Sequence, residues 1–296
     1  MRIDLELVNR KLFESRTKAQ NAIKSGHIYL NGKKITQSSL EVSNDDIITI
    51  KGNPLRYVSK GGLKLEKILK EAKIDLVDKI MIDVGASTGG FTDCALQNHI
   101  KKVYAIDVGI NQLHCSLKEN PLVCPFEYCD FRYISNDLIS DASISTIDVS
   151  FISSIKLLDK LNELPNIKEI ILLIKPQFEC GKEIADKYMG IINNRDVHYN
   201  VILKVINEYA INGYYINYLT FSPIKGSKGN IEYLAYFTTN SSIKFDIDKK
   251  GNNKSLLYYT NNNSGSEINV RKIVNEAFKT LNKDKKNFYK YAKKNQ

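Results

Sequence analysis

Residues 81–97, MIDVGASTGGFTDCALQ, constrain the fold more than any other stretch of this chain. Apolar and β-prone residues run into an aspartate, Asp83. A short loop then carries glycines at 85, 89 and 90, and a helix-like segment follows. Strand, glycine loop and helix in that order form the ligand-holding corner of an open α/β sheet, where ligands sit beyond the carboxyl ends of the strands. A dinucleotide fingerprint needs glycines at relative positions 1, 3 and 6. Here they fall at 1, 5 and 6, so the loop suits a different ligand.

The surrounding pattern extends this corner into a domain. KLEKILKEAKI has helical periodicity, KIMIDVG and KKVYAIDVG read as strands, and STIDVSFIS reads as a strand around Asp148. IKEIILLIKPQFE is a strand leading into Lys175-Pro176, RDVHYNVILKVINEYAINGY an amphipathic helix, and NIEYLAYFTT a final strand. Strands alternating with helices predict a Rossmann-like parallel sheet flanked by helices over 61–240. Residues 181–196, GKEIADKYMGIINNRD, are expected to form a loop over the site.

Residues 1–60 read as a separate small α+β module, joined by the linker GNPLRYVSKGG at 52–62. Leu5, Val8 and Leu12 have helical spacing. Ser15 is placed to cap a second helix that Gly26 ends. HIYLNGKKI is a hairpin turning at Asn31-Gly32, and DDIITIKG supplies another strand. Arg2, Arg10, Arg16, Lys18 and Lys24 dot the two helices, where they could track phosphates.

The charge distribution bears on that reading. The net charge is +10, with +6 on residues 1–65, +8 on 241–296 and −4 between them. Basic ends around an acidic body suit a polyanionic partner, but a lysine-rich composition alone would give the same balance. Five cysteines without a C-x-x-C pair imply reduced thiols, and the four histidines show no metal-ligand spacing, so no metal is expected. The start is charged throughout, and the longest apolar run, IILLI, is strand-sized. A soluble, cytoplasmic protein is expected, with no membrane partner. Residues 241–296 read as an Asn/Lys/Ser-rich linker, then a helix with Ile268, Ile273 and Phe278 on one face, then a basic tail interleaving Phe288, Tyr289 and Tyr291.

S-adenosylmethionine fits the glycine loop. It has no pyrophosphate to place at a helix N-terminus, and it carries a zwitterionic methionine end. Asp83, Gly85, Ala86, Ser87, Gly89, Gly90 and Phe91 are the expected cradle, the glycines letting backbone approach the methionine portion. Asp107, at the end of the second strand, is expected to accept both ribose hydroxyls, and Asp130 in EYCDFR to meet the adenine amino group.

The helix–helix–hairpin of residues 1–60 resembles the alpha-L RNA-binding domain. YVSKGGLKL, DVGASTGGFTD, AIDVG, IDVSFIS, IKPQFE and GNIEYLAYF extend the likeness: over about 1–240 the chain resembles the TlyA family, also called hemolysin A. The resemblance implies an FtsJ-like, class I methyltransferase domain with S-adenosylmethionine as cofactor. It also implies 2′-O-methylation of cytidine ribose in 23S, and for some members 16S, ribosomal RNA, with ribosomal subunits as substrate; no obligate protein partner is evident in the sequence. A Lys–Asp–Lys–Glu tetrad is implied at Lys64 in GGLKL, Asp148 in TIDVSF, Lys175 in LIKPQF and Glu232 in NIEYL. The family's second name raises a rival, a secreted pore-former, but no membrane span or alternating barrel strands are visible.

The chemistry is consistent with the tetrad. A ribose hydroxyl is a poor nucleophile and must lose its proton during attack, which a neutral lysine can accept. Lys175 is the expected base and Lys64 its partner in positioning the hydroxyl, with Asp148 and Glu232 orienting both amines.

Overall fold

A computed structural model describes residues 1–13, 15–24, 26–52, 56–239, 256–258 and 266–282. They belong to two compact units, Met1–Ser59 and Lys60–Gln296. In the first, α1 (Ile3–Asn9) and α2 (Arg16–Lys24) precede β1 (Ile28–Leu30), β2 (Lys33–Lys34) and β3 (Ile48–Ile50). The three strands form an antiparallel sheet in the order β2-β1-β3, with Asn31-Gly32 at the β1–β2 turn as expected. Ser15 Oγ accepts from the Lys18 amide at 3.3 Å, fulfilling its expected capping role.

The inward stripe of α1 differs from the expected one. Ile3 and Leu7, one helical turn apart, are fully buried, whereas Leu5 and Leu12 are exposed. The helix ends at Asn9, so Leu12 lies beyond it. Ile3 and Leu7 pack with Phe13, Ala19, Ala22, Ile23, Ile28 and Val42. Each fully buried aliphatic of this kind contributes about 1.5–3 kcal/mol.

The second unit runs α3 (Gly61–Glu71), β4 (Ile80–Val84), α4 (Gly90–Gln97), β5 (Lys102–Ile106), α5 (Cys115–Lys118), β6 (Val123–Phe126) and β7 (Ile144–Ile147). It continues with α6 (Leu158–Asn162), β8 (Glu169–Ile174), α7 (Pro176–Glu179), α8 (Lys182–Lys187), α9 (Arg195–Ile211), β9 (Tyr215–Phe221) and β10 (Tyr233–Thr238). Seven strands form one sheet in the order β6-β5-β4-β7-β8-β10-β9. The first five are parallel, and β8, EIILLI, is buried along nearly its whole length, as a strand covered on both faces must be.

The sheet is not wholly parallel as expected. β10 runs antiparallel to both β8 and β9, and β9 itself escaped the sequence reading. The connection at 222–232 is short, whereas a parallel return usually needs a crossover of a dozen or more residues. β11 (Leu256–Tyr258) and β12 (Ser266–Ile268) then pair, and α10 (Val270–Leu281) packs on α9 and β9. Its inward face is Val270, Val274, Ala277, Phe278 and Leu281 rather than Ile268 and Ile273; Ile268 belongs to β12. Most of the expected linker, and Phe288, Tyr289 and Tyr291 of the tail, lie outside the described residues.

Candidate active site

The expected tetrad is assembled, all within the second unit. Lys64 comes from α3, Asp148 follows β7, Lys175 follows β8, and Glu232 immediately precedes β10. Lys64 Nζ donates to Glu232 Oε2 at 2.8 Å and lies 3.9 Å from Asp148 Oδ2. Lys175 Nζ sits 2.6 Å from Asp148 Oδ1, and its hydrogen bonds go to Ser150 Oγ (2.9 Å) and the Asp148 carbonyl (3.3 Å). Asp148 is therefore the hub between the two lysine nitrogens. Lys64, Lys175 and Glu232 are buried, so these charges are held by one another more than by water.

Asp148 also lines a cavity of about 440 Å³ at the carboxyl ends of β4, β5 and β7. Gly85, Ser87, Asp107, Asp130 and Arg132 share its wall with the apolar residues Ile106, Val108, Phe131, Val149 and Leu157. Asp107 closes one side: Oδ2 accepts from the Ser87 amide (2.8 Å) and Oδ1 from the Gly109 amide (2.7 Å). Each oxygen keeps further lone-pair capacity for a ligand hydroxyl. Asp130 accepts from Arg132, and those hydrogen bonds hold its carboxyl below the usual range against the opposing effect of burial.

The other expected cradle residues are not in the wall of this cavity. Asp83 is fully buried, accepting from Thr92 Oγ1 (2.6 Å) and Thr146 Oγ1 (2.8 Å). Burial pushes its carboxyl up to about 6, with the two hydroxyls opposing the rise. Ala86, Gly89, Gly90 and Phe91 do not line the cavity, and Ala86, Gly90 and Phe91 are buried. Gly89 caps α4 at φ +92°, where a Cβ would lie 2.2 Å from Leu117 Cδ1. Gly85 does line the cavity, yet its missing Cβ answers to the protein: at φ +81° a Cβ would lie 2.8 Å from the Asp148 carbonyl oxygen. Close packing of β4 against β7 is what requires glycine there.

A second cavity, about 620 Å³, has Gln177, Phe178, Glu179, Gly190 and Asn230 in its wall and is ringed by Lys156, Lys182, Lys204 and Lys228. It contains part of the expected 181–196 loop, which is α8 and the turn after it. Gln177 Nε2 reaches Glu232 Oε1 at 3.4 Å, linking this wall to the tetrad. Phe151 and Ile152 line both cavities. Phe151 is 91% exposed at φ 65°, 5.1 Å from the Phe178 ring between centroids. Sequence reasoning assigned no role to Ser150, Phe151, Gln177 or Asn230, although each lies inside or beside a quoted motif.

The FtsJ-like methyltransferase model matches residues 57–239, taking in all four tetrad residues. The chain belongs to the FtsJ-like methyltransferase family. Ahead of that domain, residues 1–48 match the S4 domain. A Brachyspira hyodysenteriae protein named hemolysin A is 41% identical over 240 residues, covering 80% of this chain and 99% of that one. The Campylobacter jejuni protein named 23S rRNA (cytidine-2′-O)-methyltransferase TlyA is 36% identical over 258 residues, covering 81% of this chain and all of its own. A solved Streptococcus thermophilus structure carrying the hemolysin name is 34% identical with a TM-score of 0.69, covering 97% of this chain and 98% of that one. Among the described residues, no helix of this family member is long and apolar enough to cross a membrane.

In the S4 unit the five expected RNA-binding residues divide. Arg10 is turned inward on the fold: Nε donates to Glu6 (2.7 Å), and its terminal nitrogens to the carbonyls of Asp46 (3.1 Å), Ser43 (3.2 Å) and Asn44 (3.3 Å). Arg2 and Arg16 share the buried Asp4 carboxylate, at 3.0 and 2.9 Å, while much of each side chain stays exposed. Burial raises the Asp4 pKa, but hydrogen bonds from Arg2, Gln20 and Arg16 outweigh it and hold the carboxyl well below its usual range. Lys24 is exposed and Lys18 half-buried.

Proposed function

We propose that this chain transfers a methyl group from S-adenosylmethionine to the 2′-hydroxyl of a cytidine in ribosomal RNA, acting on ribosomal subunits in the cytoplasm. The observation that carries this is the Lys64–Asp148–Lys175–Glu232 set, whose Asp148 opens on a cavity that also holds the Asp107 and Asp130 carboxylates. That donor set suits the cofactor: Asp107 for ribose hydroxyls, Asp130 for the adenine amino group, and apolar walls for the ring. When bound, S-adenosylmethionine supplies an electrophilic methyl group.

The chain's own residues do the rest. Asp148 and Glu232 fix the two lysine nitrogens, and Lys175 Nζ, in its neutral form with its lone pair free, takes the hydroxyl proton as the oxygen attacks and so becomes the ammonium. Lys64 holds the hydroxyl in line, so positioning supplies much of the acceleration. The lysine-ringed cavity beside Gln177 is the acceptor side, with phosphates paired by lysines and Phe151 offered as a stacking face. Residues 1–60 supply further RNA contacts, 61–240 the chemistry, and 241–296 a basic flank. Purified protein should place labelled methyl on ribose in small or large ribosomal subunits, both being supplied. Label confined to bases, or no transfer to either subunit, would overturn the reading.

A further inference from the structure

Two buried side chains tie the turn between α8 and α9 to the segment that delivers Glu232. Asn230, 3% exposed, accepts from the Ile192 amide through Oδ1 (3.0 Å) and donates through Nδ2 to the Gly190 carbonyl (2.8 Å). His198, fully buried on α9, presents Nε2 to the Ile192 carbonyl (2.9 Å) and Nδ1 to the Tyr233 hydroxyl (2.8 Å). A carbonyl can only accept, so Nε2 carries the proton and Nδ1 accepts from Tyr233. Ile192 is thus gripped through both its N–H and its C=O. One grip comes from the residue two places before Glu232. The other runs through His198 to the residue just after it.

The surroundings give this arrangement a use. Ile192 is buried, while its neighbours Met189 and Ile191 are 86% and 42% exposed, so the anchor holds a tip that projects outward. Gly190 and Asn230 themselves form part of the lysine-ringed cavity wall. From the other side, the Phe278 ring of α10 packs edge-on against His198, 5.0 Å between centroids. Buried backbone groups need partners wherever they lie. Here one partner, Asn230, lies two residues before the carboxylate that holds Lys64 and touches Gln177, and the other, His198, bonds the residue just after it. A shift of the turn would therefore be a shift of the cavity wall relative to the tetrad.

We propose that Asn230 and His198 are positioning residues that index the 188–194 wall of the acceptor cavity to Glu232, setting where the RNA hydroxyl is held. This rests on the reading of the chain as an RNA methyltransferase. Neither residue touches the reacting atoms; each acts through the turn it holds.

The test uses the full-length chain and two variants. Asn230→Ala removes one grip outright, and Tyr233→Phe deletes only the hydroxyl that meets His198. Four quantities are measured: hydrogen exchange over 188–194, calorimetric affinity for S-adenosylmethionine, thermal stability, and single-turnover methylation of ribosomal subunits at saturating cofactor. Asn230→Ala should speed exchange at 190–193 at least tenfold and cut the rate at limiting subunit concentration about a hundredfold, with cofactor affinity within twofold of wild type. Tyr233→Phe should move the same readouts in the same direction by about three- to tenfold. Faster exchange with unchanged methylation would overturn the proposal, as would unchanged exchange. So would parallel loss of cofactor binding and thermal stability, which marks a merely structural role. Should the wild-type chain methylate neither subunit, the functional reading falls, and the exchange arm still decides whether the two side chains hold the turn.

Discussion

Replacing Gly85 with alanine separates two roles for the glycine loop. At φ +81° an L-residue costs about 1–2 kcal/mol. The added Cβ would also meet the Asp148 carbonyl oxygen at 2.8 Å and its carbon at 3.1 Å, backbone atoms that cannot rotate away. Relief requires β4 and β7 to part by a few tenths of an ångström, adding about 1–2 kcal/mol of overpacking. The total, about 2–4 kcal/mol, corresponds to a fall in Tm of roughly 5–12 °C. The displaced residue is the tetrad hub, whose Oδ1 lies 2.6 Å from Lys175 Nζ. Because a 1 Å misplacement can cost about a hundredfold, the single-turnover rate at saturating cofactor should drop about ten- to a hundredfold. Cofactor affinity should change only a few-fold, since the Cβ points at β7 and not into the cavity. Calorimetry and single-turnover methylation on one preparation decide it. A variant that loses cofactor affinity a hundredfold yet keeps its saturated rate would refute the reasoning and return Gly85 to the role of letting ligand approach.

Further outcomes follow from other residues. Lys175→Ala and Lys175→Arg should both lower single-turnover methylation by about 10²–10⁴ with cofactor binding retained, the arginine because a guanidinium stays protonated; an active arginine variant would leave position 175 only a positioning role. Phe151→Ala should leave Tm nearly unchanged, since the ring is 91% exposed, but weaken RNA engagement about five- to a hundredfold in a binding titration. Arg16→Ala should reduce RNA affinity and lessen the slope of log affinity on log salt by about one, whereas Arg10→Ala should chiefly destabilise the S4 unit in denaturant unfolding. Asp83 has its folded pKa raised to about 6, so its contribution is fully present below about pH 4 and is lost as pH rises through 6. In urea unfolding, wild type minus Asp83→Asn stability should therefore fall by on the order of 2–3 kcal/mol between pH 4 and 7.

Some of this was legible in the sequence because it is local. KIMIDVG, KKVYAIDVG and IKEIILLI announce strands by apolar runs bounded by turn residues, and Asn31-Gly32 announces its hairpin. The tetrad was legible as motifs but not as a contact set, since spacing alone cannot bring Lys64 to Glu232. Other features depend on partners far along the chain. Arg10 looks like any helix-surface cation until the carbonyls of 43, 44 and 46 fold back onto it. The lysine-ringed cavity draws on segments after β7, after β8, on α9 and before β10, and no single stretch hints at it. Asp83 read as a ligand contact because acidic residues at strand ends often are; the Thr92 and Thr146 hydroxyls that occupy it are visible only in three dimensions.

The reversed direction of β10 bears on when the enzyme becomes competent during its own synthesis. Because β10 runs against β8, its first residues lie beside the last residues of the parallel strands, and Glu232 arrives at the site from a late part of the chain. Its contact with Lys64 spans 168 residues of sequence. A ribosome making this protein will have released the S4 unit and most of the parallel sheet before that contact can form. Long-range pairings of this kind carry a large loop-closure cost and tend to form late. A nascent or truncated chain ending before residue 232 could thus hold RNA through the S4 unit while lacking a complete tetrad, so that methylation would report finished folding rather than mere presence of the protein.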